Sequence, residues 1–146
     1  MRDRKLNIIM GISGNDEGDR WYDLWEEGGT TNERFIDFIQ RILNDIGPGT
    51  PERRYCFTMD NLSAHTNPTI LGMIIDAGHR ILFRAPYYPV DGPIEYVFNT
   101  IQNMLCIFMH EVNDMETLRI KIENIIGSLG TFRNYFIHCG FDYNQE

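Results

Sequence analysis

Leu6 to Ile12 is a short apolar run that stops at Ser13-Gly14-Asn15-Asp16-Glu17-Gly18-Asp19, a cluster of turn formers. The aromatic-rich segment Trp21-Tyr22-Asp23-Leu24-Trp25-Glu26 follows it. Short runs of this kind, broken by turn residues, predict a two-strand hairpin of residues 6–12 and 21–27. The period then changes. Phe35, Phe38, Ile39, Ile42 and Ile46 recur at helical spacing until Gly47-Pro48-Gly49 stops them. Thr30 stands three residues before Glu33, the spacing of a capping box, and is the expected start of this helix.

Tyr55-Cys56-Phe57-Thr58-Met59 has no helical period and reads as a buried strand followed by Asp60-Asn61. Asn67-Pro68 supplies a cap and a first-turn proline for a helix that buries Ile70, Leu71, Ile74 and Ile75 before Gly78. Arg80-Ile81-Leu82-Phe83 is the next strand. After a loop holding Pro86, Pro89 and Pro93, a long helix carries Ile94, Val97, Phe98, Ile101, Met104, Leu105 and Phe108 on one side. Asp114 to Leu129 forms a last helix with Leu118, Ile122, Ile125 and Leu129 on its face. No internal repeat, low-complexity tract or linker interrupts the pattern, so the 146 residues read as a single domain, 1–146.

Composition narrows the class. The apolar fraction of 42% is that of a globular chain, and no apolar run nears the roughly 20 residues that span a bilayer, so no membrane partner is expected. The apolar stretch after Met1-Arg2-Asp3-Arg4-Lys5 is too short for a secretory leader. Cys56, Cys106 and Cys139 are odd in number and far apart, which predicts neither a disulfide framework nor a zinc site and fits a reducing compartment. Thirteen basic against 21 acidic residues give a net charge of −8, so any contact with nucleic acid must be local.

The order strand, helix, strand over residues 55–83 predicts a β-α-β unit whose parallel strands end at one sheet edge. Asp60 lies at that edge. The helix starting at Pro93 leaves from the loop after the second strand, so Glu95 in its first turn is expected to approach Asp60. Glu95, Asn99 and Gln102 lie opposite the apolar stripe. Paired carboxylates without a cationic neighbour suit hard divalent metals, which can activate water for attack on a phosphodiester. An Asp after a strand is also a common turn residue, and a Glu in a first helical turn also suits the helix dipole. Spacing alone leaves both readings open.

The wording of two segments goes further. Asp60-Asn61-Leu62-Ser63-Ala64-His65 resembles the D-N-x-x-x-H segment of the Tc1/mariner and IS630 transposases. Ala85-Pro86-Tyr87-Tyr88-Pro89-Val90-Asp91-Gly92-Pro93-Ile94-Glu95 resembles their P-P-Y-S-P-x-L-N-P-I-E segment. The 34 residues between Asp60 and Glu95, 61 through 94, match the interval of the D-D-34-E branch. Phe98 stands where the family usually has Trp, and Phe136-Ile137-His138-Cys139-Gly140-Phe141 looks like a tail of some members.

The resemblance implies an RNase H-like α/β fold, a five-stranded mixed sheet flanked by helices. It also implies three acidic residues holding two Mg2+ or Mn2+ ions for DNA strand cleavage and transfer. Residues 6–12, 21–27, 55–59 and 80–84 look like its second to fifth strands. The first strand, central in the family sheet and bearing the first catalytic Asp, is expected upstream of Leu6, where these residues number five. The chain therefore resembles an N-terminally truncated catalytic domain, with Asp60 and Glu95 as its metal ligands and catalysis impaired. Family membership implies transposon ends and target DNA as partners, with homo-oligomerisation left open, and location in the nucleus, or in the cytoplasm of a bacterium. The helix-turn-helix region that reads terminal repeats has no counterpart here.

Departures from the family wording are Gly92 for Asn, Ala85 for the first Pro, and Gln102 where Lys is frequent. Asn61 suits either positioning of Asp60 or a turn, and His65 either a place near the site or a helix cap. Tyr87 and Tyr88 suit base stacking or packing of their loop. Arg84, with Arg53, Arg54 and Arg80, suits DNA phosphate or a solvated strand end. Trp21 and Trp25 read as core. Two other classes stay open: a non-catalytic nucleic-acid-binding or partner-binding module derived from a transposon, and a decayed copy.

Overall fold

The computed structural model describes residues 6–26, 28–29, 31–60, 67–84 and 92–139. In chain order the elements are β1 (Asn7–Ile12), β2 (Arg20–Trp25), α1 (Asn32–Ile46), β3 (Cys56–Asp60), α2 (Pro68–Asp76), β4 (Arg80–Arg84), α3 (Pro93–Phe108), a 3-10 turn (Met109–Glu111), α4 (Met115–Ser128) and α5 (Arg133–His138). They fall into two compact units, Met1–Glu27 with Val90–Glu146, and Gly28–Pro89.

In the first unit β1 and β2 form the expected antiparallel hairpin, paired from Asn7↔Trp25 to Ile12↔Arg20. Asn15 builds its turn: the side-chain carbonyl accepts from the Gly18 amide at 2.9 Å while Gly18 takes the left-handed φ of +68°. Ile8, Met10, Ile12 and Tyr22 pack against a core of Val97, Ile101, Ile125, Ile126 and Phe132. Trp21 and Trp25 are buried, as expected. On α4 Met115, Ile125 and Ile126 are buried and Ile122 and Leu129 pack, partly buried, against the same core, so the expected face holds at Ile122, Ile125 and Leu129 and is joined by Met115 and Ile126. α4 packs on α3 and shares its core with the fully buried Phe132, which precedes a helix the sequence pattern did not announce.

The second unit holds α1, β3, α2 and β4. Phe35, Phe38, Ile39, Ile42 and Leu43 form the buried stripe of α1, which packs on α2, and α2 packs on β4. α1 starts one residue later than the capping box implies: Thr31 is the cap, and its hydroxyl accepts from the Arg34 amide at 3.1 Å. Thr30 lies outside the described residues. Thr31→Ala is expected to lower stability by about 1 kcal/mol in urea unfolding, because it strips one orphan amide of the first turn of its acceptor. Asn67 caps α2 as expected, with its side chain accepting from the Thr69 amide at 2.9 Å and Pro68 at the first position.

β3 and β4 are parallel, in register from Cys56↔Arg80 to Asp60↔Arg84, so residues 56–84 form the expected β-α-β unit. Where the resemblance implies one five-stranded sheet, the described residues hold two separate pairs. The architecture is mixed α/β.

Candidate active site

Asp60 is the last residue of β3 rather than the residue after it, and pairs with Arg84, the last residue of β4. Both therefore stand at the C-terminal edge of a parallel pair, the edge at which open α/β sheets carry their ligand sites. Residues 61–66 and 85–91, which follow the two strands, lie outside the described residues. Asn61, His65, Tyr87 and Tyr88 are among them. Arg53, Arg54 and Arg80 are exposed at the opposite end of the strand pair, and Arg80 opens β4. Four residue steps along the strand separate Arg80 from Arg84, about 13 Å. Of the four arginines, only Arg84 shares the Asp60 edge.

Glu95 occupies the first turn of α3. Gly92 caps that helix in extended conformation without a side-chain hydrogen bond, Pro93 is its first residue, and the Glu95 amide donates to the Gly92 carbonyl at 3.2 Å. A carboxylate here is favoured by the partial positive charge of the helix N-terminus. Expected on an open face with Asn99 and Gln102, Glu95 is instead half-buried, with its Oε2 atom withdrawn from solvent, while Asn99 and Gln102 are exposed.

Two features of α3 escaped the sequence reading. Its Tyr96 ring meets the His138 ring edge-on at 5.0 Å, and its Thr100 hydroxyl lies 3.0 Å from the Tyr135 hydroxyl. No local signal points to either, since 35 residues separate Thr100 from Tyr135.

His79, in the β-α-β unit, is buried, 5% exposed, and is structural. Its Nδ1 accepts from the Tyr55 amide at 3.1 Å, and its Nε2 lies 2.8 Å from the Gly47 carbonyl. A backbone amide can only donate and a carbonyl only accept, so the ring is held as the neutral, Nε2-protonated tautomer.

The candidate donors are carboxylate oxygens, the ligand type that Mg2+ and Mn2+ take. Among the described residues no three His, Cys, Asp or Glu side chains gather at one point. Each carboxylate, taken by itself, offers the oxygen donors that a divalent cation takes.

A comparison with curated proteins finds no match for the chain. A family model described as DDE superfamily endonuclease matches residues 1–119, a span that runs from the hairpin through β3, β4 and α3 into α4. Since that match covers most of the chain and includes both carboxylate-bearing elements, the chain belongs to the DDE superfamily endonucleases.

Proposed function

We propose that the chain is the catalytic-domain portion of a Tc1/mariner-like DDE transposase, with both units belonging to one RNase H-like domain, 1–146. Asp60 and Glu95 are its second and third acidic ligands. The observation that carries this is the pairing of a 34-residue interval with two collinear motif segments whose acidic residues end a parallel strand and open a helix. DDE endonucleases act on DNA and use divalent metals, which makes Mg2+ or Mn2+ the cofactor and transposon ends and target DNA the substrates. When bound, the ions would lower the barrier by activating the attacking oxygen and stabilising the leaving one. Asp60 and Glu95 would hold that charge in place rather than act as nucleophiles, and Arg84 would serve a DNA phosphate at the same sheet edge. His65, Asn61, Tyr87 and Tyr88 would line the same DNA path. The working location is the nucleus, or the cytoplasm of a bacterium.

Two carboxylates under-neutralise a metal pair. These 146 residues are therefore expected to nick supercoiled plasmid weakly or not at all with Mn2+. Fusing an Asp-bearing strand ahead of Leu6 should raise nicking, and Asp60→Ala or Glu95→Ala should return it to background. Robust nicking by the unextended chain that is lost in Asp60→Ala would overturn the impairment. DNA binding that survives both substitutions and weakens with salt would favour a non-catalytic binding module instead.

A further inference from the structure

The family match ends at residue 119, and α5, Arg133–His138, lies beyond it. The helix is nevertheless fastened to the part of α3 that carries Glu95. Phe132, immediately before it, is fully buried in the core with Val97 and Ile101 of α3. Tyr96 and Thr100 are one turn apart on a single row of α3, and both are engaged by α5.

The polarity of the contact is set by the backbone. The Thr100 hydroxyl donates its one proton to the Tyr96 carbonyl at 3.0 Å, which can only accept, so the Tyr135 hydroxyl must donate to Thr100. The chain of hydrogen bonds runs from Tyr135 through Thr100 to the peptide carbonyl of Tyr96, one residue from Glu95. The His138 ring, edge-on to Tyr96, presses on the same row. Glu95 and Tyr96, as neighbours in a helix, point about 100° apart around the axis. Whatever fixes the azimuth of the Tyr96–Thr100 row therefore fixes the direction of Glu95. A carboxylate about 6 Å from the helix axis swings through about 2 Å when the helix turns by about 20°. A metal ligand tolerates about 0.5 Å.

We propose that α5 is the positioning element for Glu95, with Tyr135 and His138 as positioning residues that lock the rotation of α3 and so aim the Glu95 carboxylate at a divalent cation. The proposal rests on Glu95 being a metal ligand. Neither Tyr135 nor His138 touches the cation, and their effect passes through the helix.

The test is Mn2+ binding to the full 146-residue chain, followed by the electron paramagnetic resonance signal of the free ion, with thermal unfolding measured beside it. Tyr135→Phe combined with His138→Ala should weaken Mn2+ binding about tenfold, the order seen when groups that orient a ligand are removed. The unfolding midpoint should move by no more than about 4 °C, because the core residue Phe132 is untouched. Thr100→Val should weaken Mn2+ binding, while Thr100→Ser, which keeps the hydroxyl and both bonds, should retain it. This second pair decides the matter if the double variant fails to fold. Glu95→Gln is the reference. If it weakens Mn2+ binding while the Tyr135, His138 and Thr100 variants bind as the parent does, the positioning role is overturned and the ligand role stands. If Glu95→Gln binds Mn2+ as the parent does, the ligand role fails and the positioning role fails with it.

Discussion

Gly78→Ala is expected to lower the stability of the chain by about 4 kcal/mol, with the unfolding midpoint in urea falling accordingly. Gly78 ends the turn from α2 into β4 at a φ of +91°, outside the range that residues with a Cβ occupy at low cost. Its position is also crossed by another segment. A methyl group built on Gly78 overlaps the Gly49 carbonyl oxygen and lies 2.9 Å from the Gly49 carbonyl carbon. The reverse holds too, because a methyl on Gly49 lies 2.5 Å from the Gly78 oxygen and 2.8 Å from Nδ1 of His79. Both neighbours are backbone or a buried ring, so neither can move aside cheaply.

The close approach has a purpose in the fold. The Gly49 amide donates to the Ala77 carbonyl at 2.7 Å, and His79 ties the Gly47 carbonyl to the Tyr55 amide. Three connections are thus fastened at the start of β3 and β4, the strands that end in Asp60 and Arg84. Gly72→Ala is the internal control. Gly72 lies within α2 with nothing within 4 Å of an added methyl, so alanine there should stabilise by about 1 kcal/mol. A loss at Gly78 below about 1 kcal/mol would show that the two loops part without cost.

What could be read from the sequence divides along the range of the interactions. The hairpin, the amphipathic α1, the Asn67-Pro68 start of α2 and the parallel β-α-β unit all declare themselves within about 30 residues. Local periodicity, turn formers and caps determine them, and the structure follows the expectation to within a residue or two. The shift of the α1 cap from Thr30 to Thr31 is of that size, since adjacent threonines offer the same hydroxyl. The elements that carry Asp60 and Glu95, the end of β3 and the first turn of α3, are the ones the pattern predicts. The half-buried state of Glu95 was not legible, because it depends on what packs around the first turn of α3. Nor was α5, whose six residues have no periodic stripe of their own. Its place is dictated by Phe132, Tyr135 and His138 meeting residues of α3, and such pairings leave no trace in either segment taken alone. The way Arg20 ends α4 is the clearest case of this kind.

Arg20→Ala is expected to cost about 3 kcal/mol, and to lower the thermal midpoint by about 10 °C. The last turn of α4 carries no basic residue, so its terminal carbonyls lack a nearby cation. Arg20, at the start of β2, supplies one from more than 100 residues away. Its Nη1 donates to the carbonyls of Ile126, at 2.7 Å, and Leu129, and its Nη2 to Gly130 at 2.8 Å. Nε and Nη2 also share the Gly18 carbonyl at 3.1 and 2.9 Å, which closes the hairpin turn on the same guanidinium. The plane lies 4.6 Å from the centre of the buried Phe132 ring. Alanine would remove the guanidinium donor from the Ile126, Leu129, Gly130 and Gly18 carbonyls, of which Ile126 keeps the Leu129 amide, and would leave the helix C-terminus without its cation. Arg20→Lys keeps the charge but replaces a five-donor fork with a single ammonium that cannot span the helix end and the turn together, so it should recover less than half of the loss. Full recovery by Lys would mean that charge alone ends the helix. Because Phe132 leads directly into α5, the same substitution should also loosen the grip on Tyr96 and Thr100, and Mn2+ binding should weaken in Arg20→Ala even at temperatures where the chain is folded.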